Sequence, residues 1–332
     1  MRILGIESSC DDTSVSLIEA SSEGFFVLAE KTASQIEIHK KYGGVVPEVA
    51  ARAHAEFIVP LIEEVMDGQE KPDVIAVTSG PGLMTALLVG VDAAKTLSYL
   101  WDVPLVGINH IEGHIHSVEV KSQNEFPTLC LIVSGGHTEL IVMKDRGEYE
   151  KIGKTVDDAA GECFDKVAKL LGFEYPGGPK ISQLAAVGKT GAITFPRPML
   201  KDNNYDFSFS GLKTAALYWL RDNESNSIND FCASFEQAIV DVLVIKTLRA
   251  AAQYKPKTIL LGGGVSANKK LRESLAAGIA SEFPDTKFLI PELQYAMDNA
   301  TMIAIAGYYK ALKKEFISWK DVKANPQWEL GE

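Results

Sequence analysis

The chain has 332 residues, 46% hydrophobic and 23% charged, with 33 Lys and Arg against 44 Asp and Glu and a formal net charge of −11. Such a composition excludes a disordered or fibrous chain and suits about two domains of roughly 100 to 200 residues each. The shortage of cations argues against a sequence-blind nucleic-acid binder, whose affinity comes from Lys and Arg neutralising phosphates, but it leaves room for a nucleic-acid substrate held by a local basic patch.

The first apolar run, Ile3 to Ile6, leads through a polar turn, SSCDDTS, into a second, Val15 to Ile18. This pattern predicts a hairpin whose turn carries acids and hydroxyls. The run ends by residue 7, too short for the hydrophobic region of a signal peptide, so a cytoplasmic protein is expected. Val74 to Val77 then reads as a strand, SGPG at Ser79 to Gly82 as a turn and Met84 to Leu100 as a helix. The richest apolar window, Asp73 to Ala94, is interrupted at Thr78 to Gly82 and at Thr85, so no membrane span is expected. WDVP, with Pro104 favouring extended backbone before it, marks the expected domain boundary near Trp101 to Val106.

Beyond it, N-H-I-E-G-H-I-H holds His110, His114 and His116. On a helix His110 and His114 share a face, the spacing that places two imidazoles on one metal, although a bare pair is equally read as two structural histidines. Glu112 lies about 200° around such a helix from His110, so the base of a zincin-type peptidase is misplaced. A third ligand is needed, and Asp298 in AMDNATMIA is the carboxylate candidate.

Thr128 to Val133, SGGHTE and Leu140 to Met143 repeat the opening hairpin. Thr258 to Leu261, GGGVSAN at Gly262 to Asn268 and a helix from Lys269 to Ala280 repeat the strand, glycine turn and helix. Neither GGGVSAN nor SGGH is a Walker or dinucleotide fingerprint, and each alone reads equally as a tight turn or an anion cradle. Two features recurring in the same order predict a duplicated α/β fold of two lobes facing a cleft. The lobes are expected at 1–105 and 106–301, with an insertion at about 151–229 carrying PGGP, FPRP and FSFSG. A C-terminal helix at about 302–325 is a candidate to return to the first lobe. Its aromatic and basic residues Tyr308, Tyr309, Lys310, Lys313, Lys314, Trp319, Lys320 and Lys323 read as a tRNA face or as a solvated amphipathic helix. The four cysteines, Cys10, Cys130, Cys163 and Cys232, stand far apart and read as thiols without zinc or redox work.

Together the motifs resemble the TsaD family of tRNA threonylcarbamoyladenosine-forming transferases, once labelled glycoproteases. The matching segments are GIESSCDDTS at Gly5 to Ser14, YGGVVPEVAARAH at Tyr42 to His54, SGPGLMTALLVG at Ser79 to Gly90, NHIEGH at Asn109 to His114 and LIVSGGHTEL at Leu131 to Leu140. They continue with DDAAGECFDKVAKLLG at Asp157 to Gly172, YPGGP at Tyr175 to Pro179, FSFSGLKT at Phe207 to Thr214, GGGVSAN and MDNATMIA. The form YGGVVPEVAARAH is similar to the bacterial or organellar branch. The resemblance implies the two-lobed actin, Hsp70 and sugar-kinase (ASKHA) fold. It implies transfer of a threonylcarbamoyl group from threonylcarbamoyl-AMP to the exocyclic amine of the adenosine 3′ of the anticodon, in tRNAs reading codons that begin with A.

By the same resemblance His110, His114 and Asp298 hold one divalent metal, Fe(II) or Zn(II). Ile132, Val133, Ser134, Gly135, Gly136, Asp165, Gly178 and Asn268 form the site for the adenine nucleotide, threonylcarbamoyl-AMP and by extension ATP or ADP. Ser182 stands where some members carry an acid that touches ribose, and Cys163 where a small residue is frequent. Asp11 is the candidate to position or deprotonate the adenosine amine. The implied partners are tRNA, a TsaB-like paralogue and a TsaE-like ATPase, or a second copy of the chain. An ATPase or sugar kinase of the same fold would need the glycine loops but not the two histidines. A non-catalytic scaffold would not need an intact metal triad.

Overall fold

The computed structural model describes residues 1–223 and 227–331, so residues 224–226 of the expected insertion lie outside the described residues. In chain order the elements are β1 (Arg2–Glu7), β2 (Asp12–Ser21), β3 (Gly24–Ser34), α1 (Ile36–His39), α2 (Pro47–Met66), β4 (Val74–Gly80), α3 (Met84–Trp101), β5 (Leu105–Asn109) and α4 (His110–His116). There follow β6 (Thr128–Val133), β7 (Thr138–Asp145), β8 (Glu148–Lys154), α5 (Ala160–Leu170), α6 (Gly178–Ala185), α7 (Ser210–Asp222) and α8 (Ile228–Tyr254). The chain closes with β9 (Thr258–Gly262), α9 (Lys269–Glu282), β10 (Lys287–Leu289), α10 (Leu293–Ala296) and α11 (Ala300–Leu312).

Two compact units result, residues 1–123 with 291–332 and residues 124–290. Each holds a five-stranded sheet, ordered β3-β2-β1-β4-β5 in the first and β8-β7-β6-β9-β10 in the second. In both, three antiparallel strands in sequence are followed by two parallel ones: β1 pairs β4 and β4 pairs β5 as β6 pairs β9 and β9 pairs β10. The repeated topology is the duplication read from the recurring motifs, and it makes the fold α/β with two similar lobes.

A boundary near residue 105 would cut the β4–β5 pair, in which Ile75 aligns with Leu105 and Thr78 with Ile108. The first sheet needs this fifth strand, as the second needs β10, so the unit continues to residue 123 and the chain re-enters it at residue 291, not 302. The last helix is also shorter than expected. It stops at Leu312, and Lys314 takes a left-handed conformation at φ 59°.

Both faces of the first sheet are buried, which explains its strand runs with little alternation. Ile3, Val74, Ala76, Val106 and Ile108 meet Met302, Ile303 and Ala306 of α11 on one face. Leu4, Ile6, Ile75 and Val77 meet Ile58, Ile62 and Val91 from α2 and α3 on the other. Helix α11 lies unusually close to the sheet because Gly307 faces it: a Cβ there would stand 2.4 Å from Ala76 Cβ. In the second unit α8 crosses the core, burying Phe231, Phe235, Ile239 and Leu243 with Leu129, Leu131 and Leu261. No helix among the described residues is long and apolar enough to cross a membrane.

Candidate metal centre and nucleotide loops

Strand β5 ends at Asn109, whose side-chain oxygen accepts from Ile111 N at 2.9 Å and caps α4. The helix opens directly on His110, and its period brings His114 to the same face, ring centroids 4.6 Å apart. Asp298, in the turn ahead of α11, completes the group. Its Oδ1 lies 3.5 Å from His110 Nε2 and 3.3 Å from His114 Nε2, and one ligand atom from each residue falls within 4.8 Å of the others.

Behind His110 stands Glu7, the fully buried last residue of β1. Its Oε2 is 3.0 Å from His110 Nδ1 and accepts from Thr78 Oγ1 at 2.6 Å, while its Oε1 accepts from Ser9 N at 2.5 Å. Burial works against the Glu7 carboxylate, but His110 outweighs it and holds the carboxyl below its ordinary value. Burial likewise opposes a charged His110, yet Glu7 and Asp298 lift that imidazole to about 9. Burial instead prevails at His114 and pushes it down, leaving it neutral. Both its ring nitrogens are sealed from solvent without a hydrogen bond. Two imidazoles, one of them the orphaned buried ring of His114, and one carboxylate are the donor set of a divalent ion such as iron or zinc, so these residues fit the implied metal.

The other two titratable residues of α4 do different work. Glu112 is buried with its Oε2 3.5 Å from Lys310 Nζ, so it serves no metal-bound water. His116 stacks on Tyr309, ring centroids 5.0 Å apart, with Glu119 Oε2 at 3.3 Å from its Nδ1.

Asp11 lies half-buried in the turn between β1 and β2. That turn is pinned from a distance: Gln35 N donates to Asp11 O at 3.0 Å, and His54 of α2 has Nε2 3.1 Å from Cys10 O and Nδ1 2.7 Å from Thr13 Oγ1. Asp12 beside it is buried, and burial together with the Asp298 charge raises its carboxyl to about 7.

In the second unit the SGGH turn joins β6 to β7. Ser134 N donates to His137 O at 2.8 Å, and His137 N to Ser134 Oγ at 3.1 Å. Cβ atoms on Gly135 or Gly136 would meet nothing within 4 Å, so this turn is open above its glycines. Ile132 and Val133 are fully buried residues at the end of β6. Asp165 Oδ1 accepts from Gly177 N at 2.7 Å and Gly178 N at 3.2 Å, so it holds the YPGGP loop in place. At the third loop Gly263 has φ +84° and would drive a Cβ to 2.5 Å from Val133 O, which only glycine avoids. Asn268 caps α9, its Oδ1 accepting from Leu271 N at 2.8 Å.

The SGPG turn is not a phosphate cradle. Gly82 N donates to Pro326 O at 3.3 Å, Asn325 N donates to Ser79 O at 2.7 Å, and a Cβ on Gly80 would stand 1.8 Å from Asn325 O. The C-terminal tail occupies this turn and reaches the cap of α4 too, Trp328 O accepting from Asn109 Nδ2 at 3.1 Å. Half of the aromatic and basic C-terminal residues are likewise structural. Tyr308 and Tyr309 pack edge-on to Phe25, Lys310 donates to Gly107 O at 3.0 Å, and Trp319 lies against Tyr99. Lys313, Lys314, Lys320 and Lys323 are exposed.

Residues 26–305 match the model of the TsaD family, tRNA N6-adenosine threonylcarbamoyltransferase. The chain belongs to this family. It is 49% identical over 332 residues to the tRNA N6-adenosine threonylcarbamoyltransferase of Listeria innocua serovar 6a, covering 98% of this chain and 95% of that one. The protein of the same name from Carboxydothermus hydrogenoformans is 48% identical, with 99% and 98% covered. Among solved structures, HypF of T. kodakarensis shares the fold at TM-score 0.62 and 13% identity, covering 97% of this chain and 49% of that one. The activator of the 2-hydroxyisocaproyl-CoA dehydratase from Clostridium difficile, with bound ADPNP, does so at TM-score 0.54 and 14% identity, with 95% and 98% covered.

The TsaD motifs that sequence reading picked out gather into two groups, His110, His114, Asp298 and Asp11 in the first unit and the glycine loops in the second. Glu7 and Glu236 escaped that reading. Glu7 gives a weak signal, a lone acid ending an apolar strand. Glu236 gives none, because α8 is buried on most of its surface and shows no polar stripe.

Proposed function

We propose that this chain transfers a threonylcarbamoyl group from threonylcarbamoyl-AMP to N6 of the adenosine 3′ of the anticodon, in tRNAs reading codons that begin with A. The observation that carries the reading is the triad of buried His110 and His114 with half-buried Asp298, its ligand atoms within 4.8 Å, in a chain of the TsaD family. A sugar kinase or ATPase of this fold has no need of those imidazoles, and a peptidase would need a base where Glu112 instead faces Lys310.

In the transfer the adenosine amine attacks the carbamoyl carbon. The N–C bond forms as the bond from that carbon to the phosphate oxygen breaks, AMP leaves with the electron pair, and N6 gives up one proton. The metal, held by His110, His114 and Asp298, would polarise the acyl-phosphate region as a Lewis acid. Gly135, Gly136 and Gly178 would let main-chain N–H groups approach the adenylate, with Asp165 and Asn268 fixing the loops that present them. Asp11 positions the amine or takes its proton, directly or through water.

The resident ion is iron or zinc, ATP or ADP is the alternative occupant of the adenylate loops, and the compartment is the cytoplasm, where tRNA is held. A TsaB-like paralogue and a TsaE-like ATPase are the proposed partners, with a homodimer as the other assembly. The test incubates the metal-loaded protein, with and without those partners, with threonylcarbamoyl-AMP and unmodified tRNA. Mass spectrometry should find threonylcarbamoyladenosine, and its absence under every combination would overturn the reading. Asp11→Ala should abolish most transfer from the pre-formed adenylate; near-normal transfer would remove Asp11 from the chemistry.

A further inference from the structure

Between α6, α8 and the start of α9 lies a carboxylate that the transfer, as derived above, does not use. Glu236 of α8 is only 6% exposed, and among the described residues it has no cationic partner. Burying a carboxylate without a counter-charge is costly, and its hydrogen bonds must offset the lost hydration. One oxygen is well served: Oε1 accepts from Ser182 Oγ at 2.6 Å and from Asn268 Nδ2 at 2.7 Å. The other, Oε2, has no hydrogen-bond partner among the described residues and is not among the side-chain oxygens sealed from solvent.

The neighbours of Glu236 are chemically spent. Asn268 Nδ2 gives one proton to Glu236 and the other to Ser182 Oγ at 3.0 Å, while its Oδ1 is occupied capping α9. Ser182 gives its only proton to Glu236. Asn268, expected to touch the nucleotide, therefore has no side-chain proton left to offer, and Ser182 has none either. The strong acceptor left open in this cluster is Glu236 Oε2. It lies beside two loops that carry Gly178 and Asn268. Ser182 lies one helical turn after Gly178, on the same side of α6.

An acceptor-only group of this kind recognises hydroxyl donors. A carboxylate at the edge of a nucleotide site accepts readily from a ribose hydroxyl, and such charged bonds are stronger than neutral ones. We infer that Glu236 reads the ribose of the adenylate, its Oε2 accepting from the 2′- or 3′-hydroxyl while Ser182 and Asn268 hold Oε1. Glu236 thereby supplies, from a different helix, the acid that Ser182 itself lacks. The inference rests on the adenylate reading proposed above and adds to it a residue that separates ribonucleotides from deoxyribonucleotides.

The test measures Kd by calorimetry for AMP, 2′-deoxy-AMP and 3′-deoxy-AMP with the full chain, wild type and Glu236→Gln. Glutamine keeps an acceptor for Ser182 and Asn268, so the fold should survive, and thermal unfolding checks it. Wild type should bind AMP about tenfold or more tightly than at least one deoxy analogue. In Glu236→Gln that ratio should fall several-fold, and in Glu236→Ala it should approach one. If Glu236 merely props up the loops, all three ligands will weaken together with the ratio unchanged, which would overturn the inference while leaving the adenylate site standing. A wild type that binds none of the three would overturn both readings.

Discussion

Glu7 shows how one buried carboxylate can set the state of a candidate metal ligand, His110, that it does not replace. Its carboxylate accepts from His110 Nδ1–H at 3.0 Å and so keeps that nitrogen protonated and turns Nε2 toward Asp298, ready to bind an ion once Nε2 gives up its proton. Thr78 and Ser9 hold the carboxylate in turn, so neither ring nor acid has freedom to turn away. Glu7→Gln keeps the shape but loses the charge, and it should lower zinc affinity about 10- to 100-fold in a chelator competition with little change in fold. Equal affinity would reduce Glu7 to packing. The pairing of His110 and His114 was legible because helical periodicity places them together within one short motif. Their supports were not: Glu7 meets His110 across 103 residues and Thr78 across 71. Nothing in local pattern joins such partners, and the same holds for Ser182, Glu236 and Asn268.

At the scale of elements, strand and helix existence followed from local pattern while their ends followed from tertiary contact. The two hairpins and the two strand, glycine turn and helix units stand where periodicity put them. The boundary near residue 105 failed because Pro104 marks the entry to β5, and an entry to a strand looks locally like an exit from a domain. Helix α7 illustrates an end fixed from afar. Asp157, some fifty residues earlier, accepts from Phe209 N at 2.8 Å and Ser210 N at 3.2 Å, together with the hydroxyls of Ser208 and Ser210. Burial is the largest single influence and opposes its charge, but the serine and main-chain donors together prevail and hold its carboxyl below the ordinary value. A carboxyl depressed in the folded state stabilises it fully above the unfolded value of 3.8 and loses that contribution as pH falls through the folded one. The group is exposed, so screening discounts its charge, and losing the cap should cost about 1 kcal/mol, or about 2–4 °C of melting temperature at pH 7. Asp157→Ala should show that drop at pH 7, and the gap to wild type should narrow below about pH 4. Identical melting at pH 7 would show that α7 needs no cap.

For the whole molecule, a net charge of −11 must be reconciled with a polyanionic substrate. Many of the cations are already committed. Lys246 is fully buried and donates to Asn204 O and Asp206 O, Arg197 pairs with Asp241, Lys166 and Lys213 share Asp158, and Lys310 serves Gly107 and Glu112. The acidic total thus understates how few lysines remain for phosphate, and the isolated chain should bind tRNA weakly and with strong salt dependence. Of the residues first read as a tRNA face, the packed Tyr308, Tyr309 and Trp319 and the paired Lys310 drop out, and Lys313, Lys314, Lys320 and Lys323 remain exposed after α11. Each phosphate they neutralise should add roughly 0.7 to 0.9 to the slope of log affinity against log salt. Reversing Lys313 and Lys314 together to glutamate should therefore weaken tRNA binding and flatten that slope by roughly 1.4 to 1.8, while AMP affinity stays as in wild type. An unchanged slope would clear this stretch of tRNA contact, and tight binding by the lone wild-type chain at physiological salt would refute the argument from charge. The committed cations also make the second outcome of a partner experiment specific: a paralogue that supplies basic surface should raise affinity and slope together, since the added energy is counterion release.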